Sequence, residues 1–313
     1  MRHPLDASLL PPLIQVIFPP QSLLDLAMHS IAQVSTGQTV GGAIVTVHRL
    51  PNEMLAQIFK EYMLKLLHDK QVDPGQSSLS RTPPSLATIT YVCQKWRYAA
   101  VTNPSLWILE PVPVHIPSWT KEVLARSVTM PLVVRAVHAQ LPSLSISYIF
   151  QHIHRVESLK INLDPRRTTT HEIAMWKRVL ILLEAAKPAP LLKTLHIWGR
   201  LHHDTDSPDF LPIVIPDTIF KGVFPQMTNL AAAYVSISSL SPLFQANLTS
   251  LILESVTVWE TYAEMSVTLR LTLCLEYLRI GMSMPRPSTL TPHDFVVLPN
   301  LQTLAVYGPI SQL

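Results

Sequence analysis

The sequence predicts an α/β chain in which a small helical module precedes an irregular solenoid of parallel strands and helices. Three observations carry that expectation. Short aliphatic strings recur through the C-terminal two thirds, two amphipathic segments of helical spacing stand before residue 110, and proline outnumbers glycine 28 to 8 as punctuation. The 313 residues are 48% hydrophobic and only 14% charged, against about a quarter charged in an average globular chain. Mean hydropathy is +0.25. Such a chain can bury a large core and does not read as disordered.

The basic excess, 24 residues against 21 acidic, is spread without a block, so no nucleic-acid stripe is expected. Cys93 and Cys274 lie far apart and fit neither a disulfide framework nor a thiolate metal site. Both are expected to pack as small apolar residues in a reducing compartment. The uncharged stretch Gly222 to Leu253 is cut by Pro225 and Pro242 and filled with Gln, Asn, Ser and Thr, so it is not read as a membrane span. Arg2 precedes the apolar run Leu9 to Phe18, but Pro11, Pro12, Pro19 and Pro20 break any hydrophobic helix and no cleavage site follows, so no secretory signal is expected.

Residues 1–48 hold no consistent period and are read as a leader whose order the pattern does not set. Gly37 and Gly42 have the spacing of a phosphate loop, yet Ala43-Ile44 stands where a lysine and a hydroxyl must be, which excludes a nucleotide site. Behind Leu50-Pro51, the residues Met54, Leu55, Ile58, Phe59, Tyr62 and Leu66 recur at three and four, predicting an amphipathic helix with proline at its mouth. Asp69 to Pro84 turns to Asp, Pro, Gly, Ser and Thr and reads as a loop. Ser85 then caps one further helix along Leu86, Ile89, Val92, Cys93, Trp96 and Ala100, ended by Asn103-Pro104. Leu106-Trp107 and a proline-broken stretch through Pro117 follow.

The strings come next. Val156 to Ile161, Leu192 to Ile197, Leu248 to Leu253, Leu275 to Ile280 and Leu301 to Val306 obey L-x-x-L-x-L with aliphatic exchange, and Met227 to Ala232 is a degenerate sixth. Pro131 to Val134 can open the series as a strand. Between the middle leucines, 159, 195, 230, 251, 278 and 304, the steps are 36, 35, 21, 27 and 26 residues. Leucine-rich repeats run about 20 to 29, so the first two steps need insertions. Each string reads as a short parallel strand with alternate residues inward, and stacking buries what one unit cannot. The positions between the leucines (Glu157, Ser158, Lys160; Lys193, Thr194, His196; Glu276, Tyr277, Arg279; Gln302, Thr303) then line one side, the natural binding surface, without a decodable ligand signature. Ile173, Met175, Trp176, Val179, Leu180, Leu182 and Leu183 predict a helix ended by Pro188 and Pro190. The chain stops at Leu313 right after the last string, where a polar capping unit would be expected.

Chemistry-bearing patterns are sparse. No G-x-S-x-G or H-E-x-x-H occurs, and neither cysteine has a histidine near it in sequence. His152/His154 and His202/His203/Asp204/Asp206 are read as surface or loop residues rather than metal ligands, since no second ligand set accompanies them. Asn247-Leu248-Thr249 is a sequon to which no meaning attaches inside a repeat strand. No catalytic, cofactor-binding or metal-binding residue is assigned.

Leu50-Pro51-Asn52-Glu53-Met54-Leu55-Ala56-Gln57-Ile58-Phe59 resembles the opening of an F-box, Val92-Cys93-Gln94-Lys95-Trp96-Arg97 its second signature, and Pro104-Ser105-Leu106-Trp107 its close. With the long loop between the first two blocks and the strings behind, the chain is similar to F-box-like proteins common in mushroom-forming fungi, over about residues 50–307. The resemblance implies an F-box-like domain at 49–110 and a leucine-rich-repeat-like domain at 111–313. It implies the substrate receptor of a Skp/cullin/F-box ubiquitin ligase, acting in the cytoplasm or nucleus without catalysis of its own. Its partners would be a Skp-type adaptor, through it a cullin, and an unidentified target protein, with no nucleic acid or membrane. Carried over, the adaptor contacts would be Leu50, Pro51, Leu55, Ile58, Phe59, Val92, Cys93, Trp96, Arg97, Leu106 and Trp107. Apolar residues at helical spacing are more often core, so core packing is the favoured reading for any one of these positions. Leu50, Pro51 and Trp107 read as contacts and Trp96 as core. The first rival reading makes these helices only a folding cap for the repeats, and a second makes the chain an enzyme using the histidine-rich loops around His202, His203, Asp204 and Asp206.

Overall fold

Each recurring string occupies one strand of a single sheet. The computed structural model describes residues 50–72, 85–137, 143–162, 170–199, 213–283 and 296–307. The strands β1 (Leu132–Val137), β2 (Val156–Asn162), β3 (Thr194–Trp198), β5 (Asn229–Ala233), β7 (Ser250–Glu254), β8 (Tyr277–Gly281) and β9 (Thr303–Tyr307) lie side by side in that order, all parallel. A second parallel pair joins β4 (Ile213–Val214) to β6 (Val235–Ser236). Parallel neighbours need crossovers. These hold α5 (Ser143–Gln151) before β2, α6 (Thr170–Ala185) before β3 and α7 (Tyr262–Arg270) before β8. The predicted opening strand and the predicted helix ahead of Leu192 are both present as β1 and α6.

Register turns the strings into rows. Leu159, Leu195, Leu230, Leu251, Leu278 and Leu304 pair in succession across six strands, and Ile161, Ile197, Ala232, Leu253, Ile280 and Val306 form the row beside them. From Leu159 to Leu278 the leucine row is buried, while Leu304 on β9 is 59% exposed. Burying each such side chain contributes about 1.5–3 kcal/mol. The uneven steps of 21 to 36 residues leave the rows intact because every insertion falls between strands.

The strand ends repeat as well. Backbone N–H groups of Lys193, Thr228, Thr249, Glu276 and Gln302 each donate to the carbonyl of the equivalent residue one unit earlier, at 2.8–2.9 Å. At the far ends, Gly199, Tyr234, Ser255 and Met282 donate to the last residue of the next strand at 2.6–2.9 Å. Tyr234, Ser255 and Met282 do so with φ of 56°, 50° and 54°, the left-handed region that costs an L-residue about 1 kcal/mol or more.

The helical module departs from its expected outline twice. α1 (Asn52–Val72) runs past Asp69, where a loop was expected, because nothing before Asp73-Pro74 interrupts it. The rest of that loop, the 1–48 leader with Gly37 and Gly42, and His202 to Asp206 lie outside the described residues. The second predicted helix is two, α2 (Ser85–Thr90) and α3 (Gln94–Val101). Tyr91 and Val92 turn between them and Cys93 is extended at φ −157°, ψ 170°. The β-branched and aromatic run Thr88 to Val92 is poor helix former. The break is pinned by Arg97 Nε donating to Thr90 O at 3.0 Å. Cys274 is exposed, not packed as expected, and Cys93 is half-buried.

A 3₁₀ turn (Pro104–Ile108), its Asn103 cap accepting from Ser105 N, leads to α4 (Pro117–Arg126), a helix the sequence reading did not assign. One hydrophobic core runs from Leu55 through Trp107 and Val112 to Ile280, across the expected boundary at 110/111.

Gly199 sits where a Cβ would stand 2.3 Å from the Tyr234 carbonyl oxygen, whereas at Gly281 the nearest atom would be 3.5 Å away. Gly199→Ala is therefore expected to destabilise by about 1–3 kcal/mol, and Gly281→Ala to be neutral or stabilising by up to about 1 kcal/mol, in chemical denaturation.

Candidate functional site

Two surfaces can meet a partner: the outer side of the helical module and the face of the sheet turned away from the leucine rows. On α1 the core stripe is Leu55, Phe59 and Met63, each at most 2% exposed. The neighbouring stripe, at spacings of three and four, is Pro51, Met54 and Ile58, with Pro51 and Met54 exposed and Ile58 half-buried. Across the α2–α3 break Val92 and Arg97 are exposed and Cys93 is half-buried.

The eleven residues proposed for adaptor contact therefore divide. Leu50, Pro51, Ile58, Val92, Cys93 and Arg97 remain wholly or partly accessible. Leu55, Phe59, Trp96, Leu106 and Trp107 belong to the chain's own core. Phe59 packs on Trp96 with ring centroids 5.0 Å apart. Trp107, read from sequence as a contact, is 4% exposed. Its Nε1 donates to Ala100 O at 2.9 Å, its ring lies 5.9 Å from Trp119, and the Arg126 guanidinium stands 4.9 Å above it. Arg126 is in turn held by Glu122. Trp107 is thus the fastening between α3 and α4. A cavity of about 30 Å³ beside it, lined by Met63, Leu86, Trp107, Trp119 and Val123 among others, has room for water but not for a ligand.

The outward rows of the sheet follow from the same register as the leucines. One reads Arg135, Lys160, His196, Ala231, Ile252, Arg279, Ala305 and the next Asn162, Trp198, Ala233, Glu254, Gly281, Tyr307. Arg279 is bound to Glu254 at 2.6 Å and lies 5.2 Å over the Tyr307 ring. Glu157, Lys193, Glu276 and Gln302, expected on this side, sit at its rim where the strands begin, with Lys193 Nζ 2.8 Å from Glu157. Burial first and then the Lys160 charge hold the pKa of His196 down to about 4, so its ring is neutral near pH 7.

His152 and His154 have ring centroids 6.2 Å apart, and burial, Arg155 and His154 lower the pKa of His152. Among the described residues no three metal-ligating side chains converge. No described helix is long and apolar enough to cross a membrane. Arg155 is a residue the sequence reading passed over: it is 5% exposed, and its Nη2 donates to Leu124 O at 3.1 Å, closing the C-terminal end of α4. Asn247 lies in the turn before β7 and donates from Nδ2 to Pro225 O at 2.9 Å.

The chain matches the F-box-like family over residues 47–108. Those residues form an F-box-like domain. No curated protein and no solved structure matches the chain. F-box-like domains are typically non-enzymatic interaction modules that bind Skp-type adaptors. In this F-box-like domain the three signature blocks meet in space as α1, α3 and the 3₁₀ turn, and Trp107 of the last block carries the contact to α4.

Replacing Trp107 with Phe removes the bond to Ala100 and some ring volume, and is expected to cost about 1–3 kcal/mol in thermal or denaturant unfolding. Trp198→Phe, on a side chain 42% exposed, should stay within about 0.5 kcal/mol.

For His196 the folded-state pKa is depressed below 6.5, so the unfolded chain takes up its proton first. Its contribution to stability is complete above about pH 6.5 and is lost as pH falls toward 4. Lys160→Gln should raise its titration midpoint, read by NMR of the ring Cε1–H, yet leave it below 6.5 because burial is the larger cause.

Proposed function

We propose that the chain is the substrate-recognition subunit of a Skp/cullin/F-box ubiquitin ligase, of the fungal type it resembles, acting in the cytoplasm or nucleus. The F-box-like domain docks on a Skp-type adaptor, which links it to a cullin, and the strings form a leucine-rich-repeat-like solenoid whose open face holds a target protein. The single observation behind this reading is the F-box-like match at 47–108, on a module that keeps Pro51, Met54 and Val92 exposed beside its core. Exposed apolar side chains next to a packed helical core are what a helical partner can cover. The docking set is then Leu50, Pro51, Met54, Ile58, Val92, Cys93 and Arg97, with the five buried members of the original eleven acting through the shape of the module.

A second reading has its own observation. The continuous core through Trp107 and the bridge between Val112 and Val134 on β1 favour an F-box-like domain that also caps the open edge of the sheet. Capping and docking use opposite sides of the helices and are compatible. Capping alone is the rival.

Affinity capture with a Skp-type adaptor separates them. The wild-type chain should retain adaptor and cullin, and Pro51→Glu/Met54→Glu/Ile58→Glu should lose at least about tenfold in adaptor affinity with its melting temperature little changed. Equal retention by both, or by neither, removes the ligase reading and leaves the cap.

A further inference from the structure

The open face of the sheet is not evenly charged. Arg135 pairs in register with Lys160, and Lys160 with His196, on the three adjacent parallel strands β1, β2 and β3. Strands lie about 4.8 Å apart, so three basic side chains rise from a strip roughly 10 Å wide. Like charges placed opposite one another weaken a sheet. Among the described residues neither Arg135 nor Lys160 has an ionic partner. Among the described residues the two carboxylates on the strands of the sheet are already engaged: Glu157 at the rim by Lys193 at 2.8 Å, and Glu254, three strands from Lys160, by Arg279 at 2.6 Å. The rows on either side offer Ser158 and Thr194 hydroxyls, the Asn162 amide and the exposed indole of Trp198.

We infer that this strip seats an acidic segment of a protein partner, with Asp or Glu carboxylates two residues apart on Arg135 and Lys160 and the adjoining backbone against Ser158, Thr194 and Trp198. The proposal rests on the reading above that the open face holds the target, and deepens it by naming the target's chemistry. Extended peptide advances about 3.3 Å per residue, so about three residues cross the strip, and two carboxylates meet its two free cations. Lys160 and His196 are half-buried and Arg135 is exposed, so the strip is partly shielded from water at Lys160, where a charge pair is worth more than on an open surface. A nucleic-acid backbone fits poorly. Beyond His196 the row continues as Ala231 and Ile252, and the next cation, Arg279, is paired with Glu254, so the basic track ends after three strands.

The test uses the full chain and fluorescence anisotropy with labelled oligoglutamate, oligoglutamine and oligothymidylate. Wild type should bind oligoglutamate and not oligoglutamine. Arg135→Glu and Lys160→Glu should each weaken binding about tenfold, the neutral Arg135→Gln and Lys160→Gln less, and Lys193→Gln, whose ammonium is already paired, within about twofold. The charge-reversed variants should melt no lower than wild type, since each puts opposite charges across the strands. No oligoglutamate binding, or binding that Arg135→Glu and Lys160→Glu leave unchanged, overturns the proposal. Equal or tighter binding of oligothymidylate, weakened by the same substitutions, overturns it in favour of a nucleic-acid partner. Adaptor capture on the same variants keeps the two readings apart. Loss of peptide binding with adaptor retained places the defect in the strip, while a wild type that binds peptide but no adaptor sinks the ligase assignment and leaves the strip standing.

Discussion

A parallel ladder can slip by one residue only by turning its whole inward row out to water, and here that would expose Leu159, Leu195, Leu230, Leu251 and Leu278 together. This constraint does two jobs at once. It fixes the inner rows that hold the sheet to its helices, and it fixes with equal rigidity which residues stand in line on the opposite face. Arg135, Lys160 and His196 come from positions 25 and 36 residues apart, and only the ladder makes them neighbours.

The helical module is bound to that ladder through a few aromatic and backbone contacts. Trp107 ties Ala100 on one side to Trp119 and Arg126 on the other, and Val112 N donates to Val133 O at 2.9 Å to continue the sheet's backbone bonding into the connecting segment. Signature residues that look like partner contacts in the sequence thus include the fasteners of the chain's own interior. The side left accessible is narrower than the motif, a stripe displaced by about one residue from the core stripe of α1.

Much of the architecture was legible because it depends on aliphatic spacing. The strings Leu192 to Ile197 and Leu275 to Ile280 name their strands without help, and α6 follows from the run Ile173 to Leu183. Less legible were features governed by single backbone events. The helix break at Tyr91-Val92 depends on Arg97 reaching back to a carbonyl, which no periodicity reports. α4 escaped notice because only Thr120, Val123 and Leu124 are buried on it, too short a stripe to stand out among prolines. The candidate sites divide along the same line: spacing marks a helix as amphipathic, yet which apolar residue faces inward and which faces outward is decided by rotation about the helix axis. For the sheet, the outward residues were identified in kind, but their line-up across strands needed register.

The left-handed exits at Tyr234, Ser255 and Met282 have a bearing on how this molecule could be improved. The chain uses only 8 glycines, and at three equivalent corners it accepts a twisted backbone with a bulky or polar side chain instead. Each corner holds strain of about 1 kcal/mol that the surrounding ladder keeps in place. The protein therefore carries a latent margin of thermal tolerance at separate, structurally matched points, available to an engineer without touching either face that meets the outside world.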